Sequence, residues 1–486
     1  MADDAIPTAT QSEDHIKAAR GADWPQRRVT TASMQGGVTS VVTVLRRGDD
    51  YVARDGEGPL ETQHGSYQGQ RWHQDENGVT VLSEPDPGNE RPVTYASRVR
   101  AITTPVVGYV IETFDPQGYG ERRYVDGATW RVVRMDDVER SATTTTLYDD
   151  FRTLSGRTYA WHWSSSDGHA EDALDSRITA DAPGPVSDDE LKIPDFRRNL
   201  FSIPAGVDHV DIPAHFEGES VYVRSTVGTR KLDLTLDTGA SIITLDSDVA
   251  KQLGLKTLDT ASDVVAGRFQ TGRAIIPLLR IGSLELHDVV VNLAPPMKFH
   301  EGEGTVGVGL LGFDFLAQAV FKIDYDHKTV TACRNDGFTP PQDPRMLTLD
   351  IRLGSGVPMT TVVESGVKAD RFIVDTGAGG SFYLFDYFVR RYPDALKGGL
   401  YGSGNAMVLG VGGAISARPF QFKSLQLGSA TFVGTTGLIV TTKGVYDNAA
   451  DGLIGYEMLR LFDVWLDYAN SQIYLVLNET GRHSRI

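Results

Sequence analysis

The chain has 486 residues, of which 40% are hydrophobic and 23% charged, enough to fill the cores of about three soluble domains. Its 47 basic and 64 acidic residues give a formal net charge of −17, which argues against nucleic acid or an anionic lipid surface as a partner. No run of about 18 apolar residues is present, so no integral membrane segment is expected. The single cysteine, Cys333, excludes an internal disulfide.

The first residues, MADDAIPTATQ, contain no apolar signal core. The Ala-Asp-Asp-Ala sequence after the initial Met resembles the start of a chain cut by signal peptidase. We therefore expect a periplasmic or secreted protein, with a cytoplasmic one as the alternative. Residues 1–27 are expected to form a polar tail, with a short helix near residues 15–20.

Residues 28–182 have the pattern of an antiparallel β domain, with alternating segments separated by Gly, Asp and Asn turns. The predicted strands cover residues 38–45, 51–54, 70–74, 79–82, 108–114, 129–135, 143–151 and 158–164. Two groups of segments, GQRW with a following NG (69–78) and YVD with a following WRVV (124–133), resemble the half-barrel lipoprotein-sorting domains of bacteria. That resemblance implies a sheet that cradles something apolar. The alternative is a spacer domain that assists secretion or folding.

A linker rich in Pro and Asp is expected over residues 183–205. Two lobes follow, at residues 206–334 and 346–480, and the connector NDGFTPPQDPR (335–345) separates them. Apolar periodicity predicts helices at residues 247–253, 313–319, 385–392 and 456–462.

The two lobes are copies of one long repeat. Residues 232–245 read LDLTLDTGASIITL, and residues 371–384 read RFIVDTGAGGSFYL. The preceding hairpins align without a gap, and the later GLLG (309–312) aligns with GLIG (452–455). A repeat of about 130 residues is too long for a solenoid unit, so it indicates a duplicated domain.

In each repeat, a run rich in Leu, Ile and Val is followed by an Asp-Thr-Gly loop, which begins at Asp237 in the first repeat and at Asp375 in the second. Two such loops predict two carboxylates brought face to face. Carboxylates about 3 Å apart cannot both ionise, so they hold one proton between them. The ionised member can take a proton from water while the protonated one polarises a carbonyl, which is the chemistry that amide hydrolysis requires.

Each repeat resembles one subunit of a retropepsin-like aspartic peptidase, through its Asp-Thr-Gly-Ala segment, glycine-bearing flap region and late Leu-Gly segment. The pair resembles the bacterial aspartyl proteases that carry both halves in one chain. The resemblance implies a mostly β fold of duplicated retropepsin-like (acid protease) β-barrel lobes, preceded by the N-terminal antiparallel β domain. It also implies an aspartic endopeptidase whose catalytic dyad is Asp237 and Asp375.

The same resemblance assigns roles to the neighbours of the dyad. Gly239 and Gly377 allow tight loops, and the hydroxyls of Thr238 and Thr376 cross-bond the two loops. The other residues expected to support these loops are Ala240, Ser241 and Ala378. Lobe two reads DTGAGGS, one residue longer before its apolar run than DTGAS in lobe one, which predicts asymmetric surroundings for the two carboxyls.

Flaps over an extended substrate are expected near residues 262–272 and 405–416. The candidate flap residues are Ala266, Gly267, Gly412 and Gly413.

The 11 histidines are scattered without a metal-binding spacing, so we expect neither a metal nor a cofactor. The expected partner is a polypeptide substrate, bound by a monomer. The alternative from another class of function is a non-hydrolytic protein, which binds peptide in the cleft or carries an apolar ligand in the N-terminal β domain.

Overall fold

The computed structural model describes residues 6–35, 38–56, 58–83, 94–116, 118–139, 142–264, 268–295, 307–354, 356–410, 413–442 and 450–484. The chain forms two compact units. Unit 1 comprises Met1–Arg71 and Asp86–Ile193, and unit 2 comprises Trp72–Pro85 and Pro194–Ile486. Within the described ranges, no helix is long and apolar enough to cross a membrane.

The elements up to residue 193 are α1 (Ala9–Arg20), β1 (Gln26–Gln35), β2 (Val38–Arg47), β3 (Asp50–Asp55), β4 (Thr62–Tyr67), β5 (Gln70–Gln74), β6 (Thr80–Ser83), β7 (Ala96–Ile102), β8 (Gly108–Phe114), β9 (Gly120–Asp126), β10 (Val132–Val138), β11 (Thr143–Leu154), β12 (Arg157–Ser166), β13 (Leu174–Pro183) and α2 (Asp188–Leu191). Unit 1 contains one antiparallel sheet in the order β4-β3-β2-β1-β13-β12-β11-β10-β9-β8-β7. The prediction of an N-terminal antiparallel β domain is therefore confirmed.

Two differences from the predicted elements have local causes. Helix α1 is longer than expected because a capping box between Thr8 and Gln11 starts it well before residue 15. Strand β10 begins at Val132 instead of residue 129 because a turn occupies the preceding residues. In that turn Asp126 accepts hydrogen bonds from the N–H and the hydroxyl of Thr129, and Trp130 has a φ of 56°.

The elements of lobe one are β14 (His209–Ile212), β15 (Ala214–Glu217), β16 (Ser220–Val227), β17 (Arg230–Leu236), β18 (Thr244–Asp246), α3 (Ser247–Gln252), β19 (Asp259–Val264), β20 (Arg268–Ile281), β21 (Leu284–Ala294), β22 (Gly309–Leu311), α4 (Phe313–Leu316), β23 (Val320–Asp324) and β24 (Thr329–Cys333).

The elements of lobe two are β25 (Leu347–Asp350), β26 (Arg352–Gly354), β27 (Val357–Glu364), β28 (Val367–Val374), β29 (Phe382–Leu384), α5 (Asp386–Arg391), β30 (Leu400–Tyr401), β31 (Ala406–Gly410), β32 (Gly413–Gln421), β33 (Ser424–Leu427), β34 (Ala430–Val433), β35 (Thr436–Val440), β36 (Gly452–Ile454), α6 (Tyr456–Leu459), β37 (Phe462–Asp467), β38 (Gln472–Leu477) and α7 (Glu479–His483).

The two lobes repeat one pattern of strand pairing around their Asp-Thr-Gly loops. In lobe one, β17 runs parallel to β22, β22 runs antiparallel to β18, and β18 runs parallel to β21. In lobe two, β28, β36, β29 and β35 pair in the same order and directions. The mostly β, duplicated fold expected from the sequence is confirmed.

A sheet with strands from both lobes joins them within unit 2. Its order is β14-β24-β23-β37-β38-β25, so β23 of lobe one pairs directly with β37 of lobe two. In this pairing Ile323 lies opposite Val464, and both side chains are fully buried. Burial of these two apolar side chains contributes about 3–6 kcal/mol to folding, so this sheet holds the lobes at one spacing.

The segment Trp72–Pro85 contributes to the core of unit 2, although it precedes the lobes by more than a hundred residues. Val79 and Val81 are buried in the same hydrophobic cluster as the lobe strands. Just before them, the buried Asp75 carboxyl accepts the N–H of Val79 at 2.8 Å. Burial raises the pKa of Asp75 to about 7, an effect that this N–H donor opposes and the neighbouring charge of Glu76 reinforces.

Asp75→Asn should make the free energy of unfolding of unit 2 less dependent on pH between about 4 and 7. A carboxyl whose pKa is raised by folding does not lower the free energy of unfolding at pH values where it is protonated in both the folded and the unfolded chain. As the pH rises, the carboxyl loses its proton first in the unfolded chain, so the free energy of unfolding of the wild type should fall by at most about 4 kcal/mol. Urea titrations at several pH values measure this slope. The exposed Asp189→Asn is the control, and a wild-type slope in Asp75→Asn would contradict the prediction.

Candidate active site

The two Asp-Thr-Gly loops leave equivalent strands at equivalent points. Asp237 follows β17, and its N–H donates to the carbonyl of Leu311 in β22 at 3.0 Å. Asp375 follows β28, and its N–H donates to the carbonyl of Ile454 in β36 at 2.9 Å. Because buried strands on both sides hold the start of each loop, each carboxyl leaves the sheet from a fixed point.

Reciprocal hydrogen bonds between two buried threonines join the loops. The N–H of Thr238 donates to Oγ1 of Thr376 at 3.1 Å, and the N–H of Thr376 donates to Oγ1 of Thr238 at 2.9 Å. The hydroxyls donate in turn to the carbonyls of Val374 and Leu236, at 2.6 and 2.7 Å. Both hydroxyls thus donate and accept, and the N–H of each threonine has a partner on the opposite loop.

Glycine at positions 239 and 377 lets the loops approach each other. A Cβ on Gly239 would lie 2.6 Å from Oδ2 of Asp375, and a Cβ on Gly377 would lie 2.4 Å from Cγ of Asp237. Both distances are below van der Waals contact, so neither loop tolerates a side chain here without moving a carboxyl. The glycines therefore set how closely each carboxyl approaches the opposite loop.

Backbone N–H groups orient each carboxyl. Gly239 donates to Oδ1 of Asp237 at 2.8 Å. Gly377 and Ala378 donate to Oδ1 of Asp375 at 2.9 and 3.1 Å. The two loops therefore present their carboxyls in similar ways, with one more donor at Asp375.

The pKa of both carboxyls is raised. Burial, and after it the charge of Asp375, raises the pKa of Asp237 well above its usual range. Burial also raises the pKa of Asp375, while the N–H of Gly377 and the hydrogen bond from Asp237 oppose that rise. A buried pair of this kind retains a proton at pH values where a solvent-exposed aspartic acid has lost it.

The longer loop of lobe two depends on its glycines. Gly380 has a φ of 72°, in the left-handed region that favours glycine. Its carbonyl accepts the N–H of Glu457 at 2.8 Å, and the carbonyl of Gly379 accepts the hydroxyl of Tyr383 at 2.7 Å. The hydroxyl of Ser381 donates to the carbonyl of Thr436. The asymmetry suggested by the sequence is thus a loop with its own set of supports, whereas Ser241 in lobe one is exposed.

Glu219 of lobe one also holds this loop, a contact that the sequence did not predict. Oε2 of Glu219 accepts the N–H of Gly380 at 2.9 Å, and a Cβ on Gly379 would lie 2.1 Å from the same oxygen. Glu219 stands in the turn between β15 and β16, where an exposed glutamate carries no signal of its own. The pair of glycines in DTGAGGS was the feature that could have suggested a close partner.

The candidate flap residues fall mostly outside the described residues, namely Ala266, Gly267 and Gly412. Gly413 is described: it begins β32 and pairs with Gly410 at the end of β31. The hairpins β19–β20 and β31–β32 lie at the two chain positions expected for flaps. Their role as flaps stays a prediction.

Comparisons with known proteins address parts of the chain. A family model described as "Aspartyl protease" matches residues 223–315, which include Asp237, Thr238, Gly239 and the GLLG segment of lobe one. No curated protein matches the chain. The family match supports an aspartyl protease domain in lobe one.

Solved structures also match the chain. A LolA superfamily protein from Nitrosomonas europaea is 11% identical to this chain. The match covers 38% of this chain and 98% of that protein, with a TM-score of 0.30. A DUF1329 family protein from Desulfovibrio piger is 10% identical, with coverages of 39% and 98% and a TM-score of 0.31. A putative outer membrane lipoprotein-sorting protein domain from Vibrio parahaemolyticus is 11% identical, with coverages of 37% and 97% and a TM-score of 0.28.

Thr376→Val should destabilise unit 2 by about 2–4 kcal/mol, although valine has nearly the same shape. The change leaves the N–H of Thr238 and the carbonyl of Leu236 buried without their partner, and each unpaired group costs about 1–3 kcal/mol. Thr376→Ser keeps the hydroxyl and serves as the matched control. Urea unfolding measures both variants, and equal stability of the two would contradict the role assigned to the hydroxyl.

Proposed function

We propose that the protein is an aspartic endopeptidase in which Asp237 and Asp375 share one proton and activate a water molecule. The observation that carries the proposal is the threonine-bonded junction, which holds the buried Asp375 carboxyl and the half-buried Asp237 carboxyl in contact with the opposite loops. Burying two carboxyls together costs free energy, because both are desolvated and like-charged when ionised. A purely structural junction would gain more from apolar residues at these positions.

The proposed reaction uses the pair as one acid–base unit. The ionised carboxylate takes a proton from the water, whose oxygen forms a bond to the carbonyl carbon of the peptide. The protonated carboxyl gives its proton to the carbonyl oxygen. In the second step the carboxyl that took the proton from water gives it to the amide nitrogen, and the other carboxylate takes a proton from one of the two hydroxyls of the tetrahedral intermediate. The C–N bond breaks, a carboxylic acid and an amine leave, and the pair again holds one proton. The roles belong to the dyad, since its two members titrate together.

The proposed substrate is an extended polypeptide, bound between the dyad and the hairpins β19–β20 and β31–β32. Such a strand would make main-chain hydrogen bonds to hairpin edges, as in other strand-addition sites. Both carboxyls come from one chain, so a monomer would hold a complete dyad. A periplasmic or secreted location is proposed with this activity.

Asp237→Asn and Asp375→Asn should each lower kcat/KM for peptide cleavage by about 10²–10⁴-fold, because the amide removes the shared proton and the general base.

The wild type should show a bell-shaped pH profile whose upper limb lies above the usual pKa range of aspartic acid, because the pKa of the dyad is raised. Cleavage of a mixed peptide library from about pH 3 to pH 8 measures both effects.

Asp248→Asn is the control for these variants, because Asp248 is an exposed carboxyl of lobe one. It should keep wild-type activity. A folded wild type that cleaves no peptide at any of these pH values would overturn the hydrolytic proposal and leave the peptide-binding alternative.

A second candidate function, the binding of an apolar ligand, is favoured by a cavity on the sheet of unit 1. The cavity has a volume of about 590 Å³, within the range of small-molecule sites. It is lined by Met34, Thr145, Leu147, Ser164, Ser165, Ser166, Ala173, Leu174 and Asp175. Met34 and Leu147 are about half exposed, at 51% and 48%, so a ligand could cover apolar surface that water now contacts.

Leu147→Ser should weaken binding of the neutral dye Nile red to this cavity by about tenfold or more, because it removes most of the apolar contact of one side chain. The exposed Val107 of the same unit lies outside the cavity lining, so Val107→Ser is the matched control. Fluorescence titration measures both. Equal affinity of the two variants, or no binding by the wild type, would contradict this second function.

A further inference from the structure

The turn that precedes β6 places an asparagine inside unit 2. Asn77 belongs to the segment Trp72–Pro85 and has no exposed surface. Gly78 follows it with a φ of 80°, and its carbonyl accepts the N–H of Arg197 at 2.8 Å. A polar side chain in a core is stable only when its hydrogen-bonding groups are paired, so its partners show what the site is built to hold.

Among the described residues, the side-chain partners of Asn77 belong to lobe one or to the segment that leads into it. Nδ2 donates to the carbonyl of Val290 at 2.9 Å and to Oδ2 of Asp314 at 2.8 Å. Oδ1 accepts the N–H of Val290 at 2.9 Å and Nη2 of Arg198 at 3.1 Å. The amide thus pairs with Val290 of β21 as a neighbouring strand would, and uses its remaining N–H on a carboxyl.

That carboxyl holds the backbone just after the Asp237 loop. Oδ1 of Asp314 accepts the N–H of Ile243 and the N–H of Phe315, both at 2.9 Å. Asp314 is fully buried, so these N–H donors and the one from Asn77 are what compensate its desolvation. A continuous path of hydrogen bonds therefore runs from Asn77 through Asp314 to the chain that leaves the Asp237 loop.

Lobe two has a different support at the equivalent position. Glu457 aligns with Asp314, but its carboxylate pairs with Arg460 at 2.8 Å. The backbone N–H of Glu457 instead binds the carbonyl of Gly380, which the longer loop brings within reach. The loop of lobe one is one residue shorter and has no counterpart of Gly380. The chain that leaves it is therefore supported by Asp314 and, through Asp314, by Asn77.

We infer that Asn77 is a positioning residue for the Asp237 loop, and that a segment outside the two lobes in sequence completes the candidate active site of lobe one. Without its amide, Oδ2 of Asp314 would lose a donor in a buried region that also contains the Asp75 carboxyl. Asp314 would then shift, which loosens its hold on Ile243. The catalytic part of this inference rests on the proposed peptidase function; the structural part does not.

The test uses the full-length chain with Asn77→Ala, and Asn478→Ala as the matched control. Asn478 is also a buried asparagine of unit 2 that donates to a carbonyl and accepts an N–H, but its partners are Arg460 and Gly481. Native-state hydrogen exchange at the Ile243 amide, normalised to β23, should be about tenfold or more faster in Asn77→Ala than in the control. Equal exchange in the two variants would overturn the inference.

Asp314→Asn is the second variant, and it takes the place of Asn77→Ala in the test if Asn77→Ala does not fold. Its amide can still accept the N–H of Ile243, but it turns an N–H toward the N–H of Asn77 and so breaks their bond. Exchange at Ile243 should again be faster, and the effects of the two substitutions should be less than additive in the double variant. Additive effects would show that the two side chains act separately and would overturn the inference.

Peptide cleavage adds a readout that a loss of stability alone would not give. In Asn77→Ala, kcat should fall about tenfold or more while KM changes less than about threefold, because the dyad is misplaced and the binding hairpins are not. Unchanged kcat together with fast exchange at Ile243 would overturn the positioning role. If the wild type cleaves nothing, the proposed function fails, and exchange at Ile243 alone decides the inference.

Discussion

The rest of unit 2 depends on the close approach of two desolvated carboxyls at the junction of the lobes. Desolvation and mutual repulsion both oppose that arrangement, so the surrounding structure has to supply the compensating free energy. The reciprocal bonds of Thr238 and Thr376 pair the N–H and the hydroxyl of both threonines and bond the two loops to each other. The sheet that pairs β23 with β37 supplies the apolar contact that keeps the lobes at the distance these bonds need. The glycines next to the threonines remove the side chains that would otherwise keep the carboxyls apart.

The duplication leaves a pseudo-symmetric frame around this junction. Two aromatic contacts cross between the lobes in equivalent ways: Phe313 packs edge-on against Tyr468, and Tyr456 packs edge-on against Tyr325. The frame is symmetric in the pairing of its strands, in the two threonines and in the aromatic residue that each lobe has at both of these positions. It is asymmetric in the loops after Asp-Thr-Gly, where lobe two has one residue more. A longer loop reaches Glu219 and the backbone of α6, while the shorter loop relies on a buried aspartate.

The buried aspartate connects the lobes to a segment that lies far away in sequence. Because Trp72–Pro85 packs with the lobes, with Val79 and Val81 in their core, the two-lobed part of the molecule is not a contiguous stretch of chain. The residues before β14 also take part, since Leu200 and Phe201 are buried in the same core. A fragment cut at the start of lobe one would therefore expose apolar side chains and leave Asp314 without one of its hydrogen-bond donors.

The sequence by itself determined the features that are local or repeated. Alternating apolar residues marked the strands, and the second DTGA segment, aligned with the first, revealed the duplication and the pair Asp237 and Asp375. The turn at Asp126 and Trp130 was not predicted, because few of its residues are distinctive of a turn. The tertiary structure alone decided which distant groups meet: Glu219 at Gly380, and Asn77 at Asp314. An exposed glutamate in a hairpin turn and an Asn-Gly pair look the same in a sequence whether or not they have a distant partner. Hydrogen bonds between residues far apart in the chain depend on the packing of whole strands, which no local pattern of residues specifies.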